Sequence, residues 1–171
     1  MSSRRYFLQT ATALGAALVL PRLRAQEPAP ATAATRIPDR GPPLTAELVK
    51  AFVVAGHGDL AKMRAMLAEQ PRLLNASWDW GGGDFETALG GAAHMGRREI
   101  ARFLLEQGAR VDVFGLAMLG DLAAVQAIVA ARPETVRCAG PHGIPLIVHA
   151  QKGGAEAAAV ADFLKALSPA G

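Results

Sequence analysis

Few residues of this 171-residue chain could do chemistry, and they are scattered. Imidazole nitrogens bind zinc-type ions and serve as general bases, and there are four histidines, His57, His94, His142 and His149. No two stand four apart, the spacing that puts two ligands on one helix face. His57 and His94 fall where turns between helices are expected. His149 replaces an alanine at a packed position, which suits a hydrogen-bonded interior residue. His142 and His149 are near enough to approach one another, but a metal site built on that pair is the weaker reading. Neither Ser168 nor the lone Cys138 has a base beside it in sequence; Cys138 reads as a half-buried loop thiol. Gly81-Gly82-Gly83 lacks the lysine and hydroxyl residue that would make it a phosphate loop. The expectation is therefore a protein that is not an enzyme, with no catalytic residue, no metal ligand and no cofactor.

Helices must position these residues. The most informative stretch runs from Glu86 to Asp112. Thr87 suits an N-cap, its hydroxyl able to accept a first-turn N–H. Leu89, Ala92 and Ala93 fall at i, i+3 and i+4, so they share a face small enough for close helix approach. Gly96 breaks the run and allows a tight turn. Ile100, Phe103 and Leu104 repeat the spacing with bulkier side chains, while Arg97, Arg98, Arg102 and Glu106 suit a solvated face. Gly108 stands where a left-handed helix stop is wanted.

That order of cap, alanine pair, glycine, apolar triad and Gly-Ala resembles an ankyrin repeat. One repeat cannot bury its apolar face alone, so others must flank it. Ala55-Gly56-His57-Gly58-Asp59-Leu60 resembles the same turn, with Met63 and Leu67 behind it. Ala117-Met118-Leu119-Gly120-Asp121-Leu122 resembles it again, followed by Val125, Ile128 and Val129. Pro145-Leu146 and Ala150-Gln151-Lys152-Gly153 match a fourth copy, with Val160, Phe163, Leu164 and Leu167 after them. The turn glycines Gly58, Gly96, Gly120 and Gly153 stand 38, 24 and 33 residues apart, against a family period of about 33. The long interval implies an insertion near Trp78 to Gly83; the short one implies that the connection around Val113-Phe114 has lost its finger. The family's Thr-Pro-Leu-His signature is incomplete, as Thr87-Ala88-Leu89-Gly90 and Ile144-Pro145-Leu146-Ile147. The expected fold is all-α: an ankyrin-repeat solenoid of about four degenerate helix-turn-helix repeats, approximately 44–76, 84–112, 113–139 and 140–168, the outer two acting as caps.

Met1-Ser2-Ser3-Arg4-Arg5-Tyr6-Phe7-Leu8-Gln9 resembles a bacterial twin-arginine export signal, with Arg4, Arg5, Phe7 and Leu8 as its key residues. The apolar run Ala11 to Leu20 is of signal-peptide length and too short for the roughly 20 residues of a membrane span. Cleavage is expected after Ala25, so 1–25 reads as the signal. Residues 26–43 are rich in Pro, Ala and Thr and read as a disordered linker, and 44–168 as the repeat domain. No cysteine follows the signal to carry a lipid anchor. The whole chain has 18 Lys+Arg against 15 Asp+Glu and a pI near 9.5. Four of those basic residues and no acidic one lie in the signal, so the remainder has a net charge of −1. With no basic stripe in the repeats, nucleic acid is not an expected partner. The membrane is met only transiently, through the signal, and the mature protein is expected in the periplasm or secreted.

The resemblance implies a non-catalytic module that binds another protein through finger loops and the concave face of the inner helices. Ser77 to Phe85 holds both tryptophans beside three flexible glycines, a source of contact area of the kind found at interface hot spots. Trp78, Asp79, Trp80, Asp84 and Phe85 are the candidate partner-binding residues. His142, in the equivalent loop Gly140 to Pro145, would extend that surface. Against this stand a fold that buries the tryptophans over the core and aspartates that merely cap turns. Two other functions are open: an assembly partner of a co-exported redox enzyme, since the twin-arginine route moves folded cargo, or a small-molecule or metal binder, or divergent hydrolase, using His142 and His149.

Overall fold

A computed structural model describes residues 41–167; the contacts below lie within the unit that begins at Pro42. The expected export signal, its cleavage site, residues 26–40 of the linker and Ser168 fall outside the described residues.

The described chain is mostly helical with one small sheet. Its α-helices are α1 (Ala46–Gly56), α2 (Leu60–Glu69), α3 (Ala88–His94), α4 (Arg98–Glu106), α5 (Val113–Leu119), α6 (Leu122–Ala131), α7 (Leu146–Lys152) and α8 (Ala158–Leu167). A two-stranded antiparallel hairpin, β1 (Ser77–Asp79) and β2 (Phe85–Thr87), stands between α2 and α3. The stretch from Trp78 to Gly83, where an insertion is expected, lies in this hairpin, and the connection from α4 to α5 carries no strand.

Cap chemistry explains most of the helix starts. Thr45, Asp59, Thr87, Asp112 and Asp121 each accept a hydrogen bond from the backbone N–H three residues on, Thr87 from Gly90 at 3.0 Å. Each satisfies one of the N–H groups a helix start leaves unpaired. The stops differ. Gly108, at φ 88°, closes α4, whereas α2 and α6 end against Pro71 and Pro133, which begin short 3-10 turns. The residues before those prolines share one conformation, Gln70 at φ −138°, ψ 81° and Arg132 at φ −143°, ψ 80°. Proline excludes the helical region for its predecessor. Each proline stop is followed by a projecting loop, the hairpin in one case and Ala139–Pro145 in the other.

Helices α1, α3, α5 and α7 lie in a row, each against the next, with α2, α4, α6 and α8 packed behind their partners. The small residues permit this: Ala88, Ala92 and Ala93 are fully buried along α3. Phe52, Met63, Leu73, Leu104 and Met118 fill one part of the core, and Val125, Leu146, Val160 and Leu164 another.

Two expectations need correction. Of the four turn glycines, Gly96 and Gly120 are left-handed, Gly58 is not, and in the last copy the role falls to Gly154 (φ 67°). Gly153 stays helical at φ −70°; a Cβ there would come 2.0 Å from the Met118 carbonyl oxygen, so its glycine serves the close approach of α7 to α5. Arg98 is not on a solvated face. Its side chain is 16% exposed, and its guanidinium donates to the carbonyl oxygens of Met118 (2.6 Å), Leu119 (2.9 Å) and Gly153 (3.3 Å) and to Glu156 Oε2 (2.7 Å). These carbonyls are the unpaired ends of α5 and α7, and a cation belongs there.

Candidate functional site

The hairpin pairs Ser77 with Thr87, Trp78 with Glu86 and Asp79 with Phe85. Its tip turns through Gly81, Gly82 and Gly83, all at positive φ, a conformation that suits glycine. Asp79 Oδ1 holds the turn, accepting from Gly81 N at 2.8 Å and Gly83 N at 3.2 Å. Side chains alternate along a strand. Phe85 therefore points outward and is 62% exposed, while Glu86 points inward and is 1% exposed.

A buried carboxylate is costly unless it is paired, and Glu86 is richly paired. The indole N–H of Trp80 donates to Oε2 at 2.8 Å, and His94, the last residue of α3, donates from Nε2 to Oε1 at 2.8 Å. His57 Nε2, from the turn after α1, lies 3.4 Å from Oε2, and His142 Nε2 lies 3.5 Å from Oε1. His57 and His94 Nε2 are 3.2 Å apart. Burial pushes the Glu86 carboxyl upward, but hydrogen bonds from His94 and Trp80 and the charges of His57 and His94 outweigh it and hold the acid below its ordinary range.

Two of the imidazoles are fixed from behind. His57 Nδ1 donates to the Val53 carbonyl at 3.1 Å, and His142 Nδ1 donates to Asp84 Oδ2 at 2.7 Å. Asp84 Oδ1 also accepts the backbone N–H of His142 at 2.8 Å. That bond, with the charge of His142, holds the Asp84 carboxyl below its usual range. His142 is the one non-glycine residue at positive φ among the described residues, at 59°. Such strain in a non-glycine residue persists where the surroundings over-determine it.

The structure thus brings Trp80, Asp84 and His142 together, with Phe85 projecting beside them. Trp80 is 39% exposed. Trp78 is paired with Glu86 and so lies on the same face of the hairpin, half-buried, with Lys50 Nζ 5.4 Å from its ring centroid. Asp79 caps the turn. His149, which sequence spacing allowed to approach His142, has other partners. His149 is fully buried, donates from Nδ1 to the Pro145 carbonyl at 3.0 Å and packs on Phe114 at 4.8 Å between centroids. Burial, ahead of the hydrogen bond to Pro145 that opposes it, pulls its pKa below the ordinary value. Cys138, expected half-buried, is exposed, because the short turn Pro133–Arg137 carries it outward.

Sequence reasoning missed Glu86 altogether and treated His57 and His94 as ordinary turn residues. A signal for the histidines was there: both end the first helix of a helix pair, and like positions of stacked pairs become neighbours. Glu86 had a weaker one, since it shares the inward face of β2 with no other charge.

Compared with known protein families, curated proteins and solved structures, the chain finds no significant match. Among the described residues no helix is long and apolar enough to cross a membrane.

Proposed function

We propose that this chain is an exported, non-catalytic interaction module of ankyrin-repeat type that binds a protein partner in the periplasm through its finger loops and the helix row beside them. The observation that carries the reading is the aromatic tip of the hairpin, where Phe85 and Trp80 stay 62% and 39% exposed on a short, capped element. Large aromatic side chains on a positioned loop give contact area that gains free energy when a partner removes it from water. A cleft of about 370 Å³ opens beside them, lined by Asp84, Phe85, Thr87, Phe114, Gly140 and Pro141 among others. The repeat type is supported by four helix pairs whose first helices stack in order, with a hairpin projecting between the first pair and the second. Export rests on Arg4, Arg5, Phe7 and Leu8.

The test is in-cell crosslinking of the tagged full chain beside Phe85→Ser, a change that removes exposed aromatic surface and leaves the Glu86 contacts alone. A discrete crosslinked partner, lost in the variant while helical circular dichroism is unchanged, is the expected result. No crosslinked species in either form, or the same species in both, overturns the reading.

A further inference from the structure

From the convergence of His57, Glu86, His94 and His142 beneath the hairpin, we propose a binding site for one first-row divalent transition-metal ion, of the zinc class, independent of the partner reading. One ligand atom from each residue lies within 4.8 Å of the others. A tetrahedral ion with ligand bonds of about 2.0–2.1 Å needs ligand atoms roughly 3.3–3.4 Å apart. His57 and His94 Nε2 are separated by 3.2 Å; at the Glu86 carboxylate, of which an ion would take one oxygen, His57 Nε2 stands 3.4 Å from Oε2 and His142 Nε2 3.5 Å from Oε1. The 2.8 Å approach of His94 Nε2 to Glu86 Oε1 is shorter than a tetrahedral edge. That is the hydrogen bond an ion would replace, the His94 ring then carrying its proton on Nδ1 and offering the Nε2 lone pair to the metal.

Three further observations suit a metal better than a purely structural network. The orienting bonds behind His57 and His142 put the proton on Nδ1 in each ring, which turns the Nε2 lone pair toward the centre; the carboxylate–imidazole pair of Asp84 and His142 is a common outer partner of bound metals. Glu86 is held by Trp80, which orients the carboxylate in the same way. Space has also been kept for His57: a Cβ on Gly91 would come 2.8 Å from its ring. Three imidazoles and one carboxylate are borderline ligands, suited to zinc, cobalt, nickel or copper rather than to magnesium or calcium, which prefer oxygen throughout. The His57 and His142 side chains are 25% and 33% exposed, which gives an ion a way in.

The test is titration of the chelator-stripped full chain with cobalt(II), read by the visible absorption of a tetrahedral ion and by Trp80 fluorescence in a Trp78→Phe background. One equivalent should bind, zinc should displace it, and the melting temperature should rise with zinc concentration. His142→Ala and His57→Ala, both at partly exposed positions, should each weaken binding at least tenfold while His149→Asn leaves it unchanged. Absence of saturable cobalt binding by the folded wild-type chain overturns the site. So does unaltered affinity in both folded alanine variants; a variant that fails to fold is replaced by Glu86→Gln under the same criterion.

Discussion

His149 stands apart from the other three histidines: it is fully buried, and its Nε2 has no hydrogen-bond partner. A proton on that nitrogen would place a charge in the interior, which is why burial lowers its pKa from 6.5. The sign follows. Below about pH 6.5 the unfolded chain takes up a proton at this site that the folded chain refuses, so stability falls as pH falls. The loss is at most about 1.4 kcal/mol per pH unit and ends at the folded-state pKa. His149→Asn offers an amide N–H where Nδ1 donates and does not titrate. Urea midpoints followed from about pH 7.5 to about pH 5 should therefore slope less steeply in the variant than in wild type; equal slopes would show that His149 does not set this dependence.

At the scale of the element, the helix ends hold the arrangement together. Arg98 begins α4 yet serves the carboxyl ends of α5 and α7, joining three helices through one guanidinium. Arg98→Met keeps much of the apolar stem and strips the donors from these carbonyls, and it should cost about 2–3 kcal/mol in chemical denaturation. Arg102, 56% exposed and paired with the exposed Glu156, should cost no more than about 1 kcal/mol on change to Ala. A loss at Arg98 no greater than that at Arg102 would mean water replaces the guanidinium freely. The start of α3 was legible in the sequence because a cap acts on an N–H only three residues away, as Thr87 does on Gly90; the aspartate caps of α2, α5 and α6 act in the same way but were not singled out. The place of Arg98 was not legible. A helical pattern says which side of its own helix a residue occupies, and it is silent on whose carbonyls wait there.

For the whole molecule, the order of helix pairs and the place of a projecting segment near Trp78 could be read from periodicity and the uneven spacing of glycines. The cluster around Glu86 could not be, since His57 and His142 come from opposite ends of the described chain and no spacing rule joins them. Only packing makes neighbours of a turn, a strand, a helix end and a distant loop. The export proposal also belongs at this scale. Arg4→Lys combined with Arg5→Lys should leave uncleaved precursor in the cytoplasm, as read by cell fractionation; undiminished periplasmic yield would rule out the twin-arginine route. Finally, the two projecting loops are built alike in one respect. A Cβ added at Gly81, Gly82, Gly83 or Gly143 would meet nothing within 4 Å, yet all four stand at positive φ, and Asp79 and Asp84 hold the turn backbones at Gly81, Gly83 and His142. What these positions demand is a backbone conformation and not room, so a larger side chain there strains the turn alone. The cost of such a change stays at the tip, and the helices beneath need not repack.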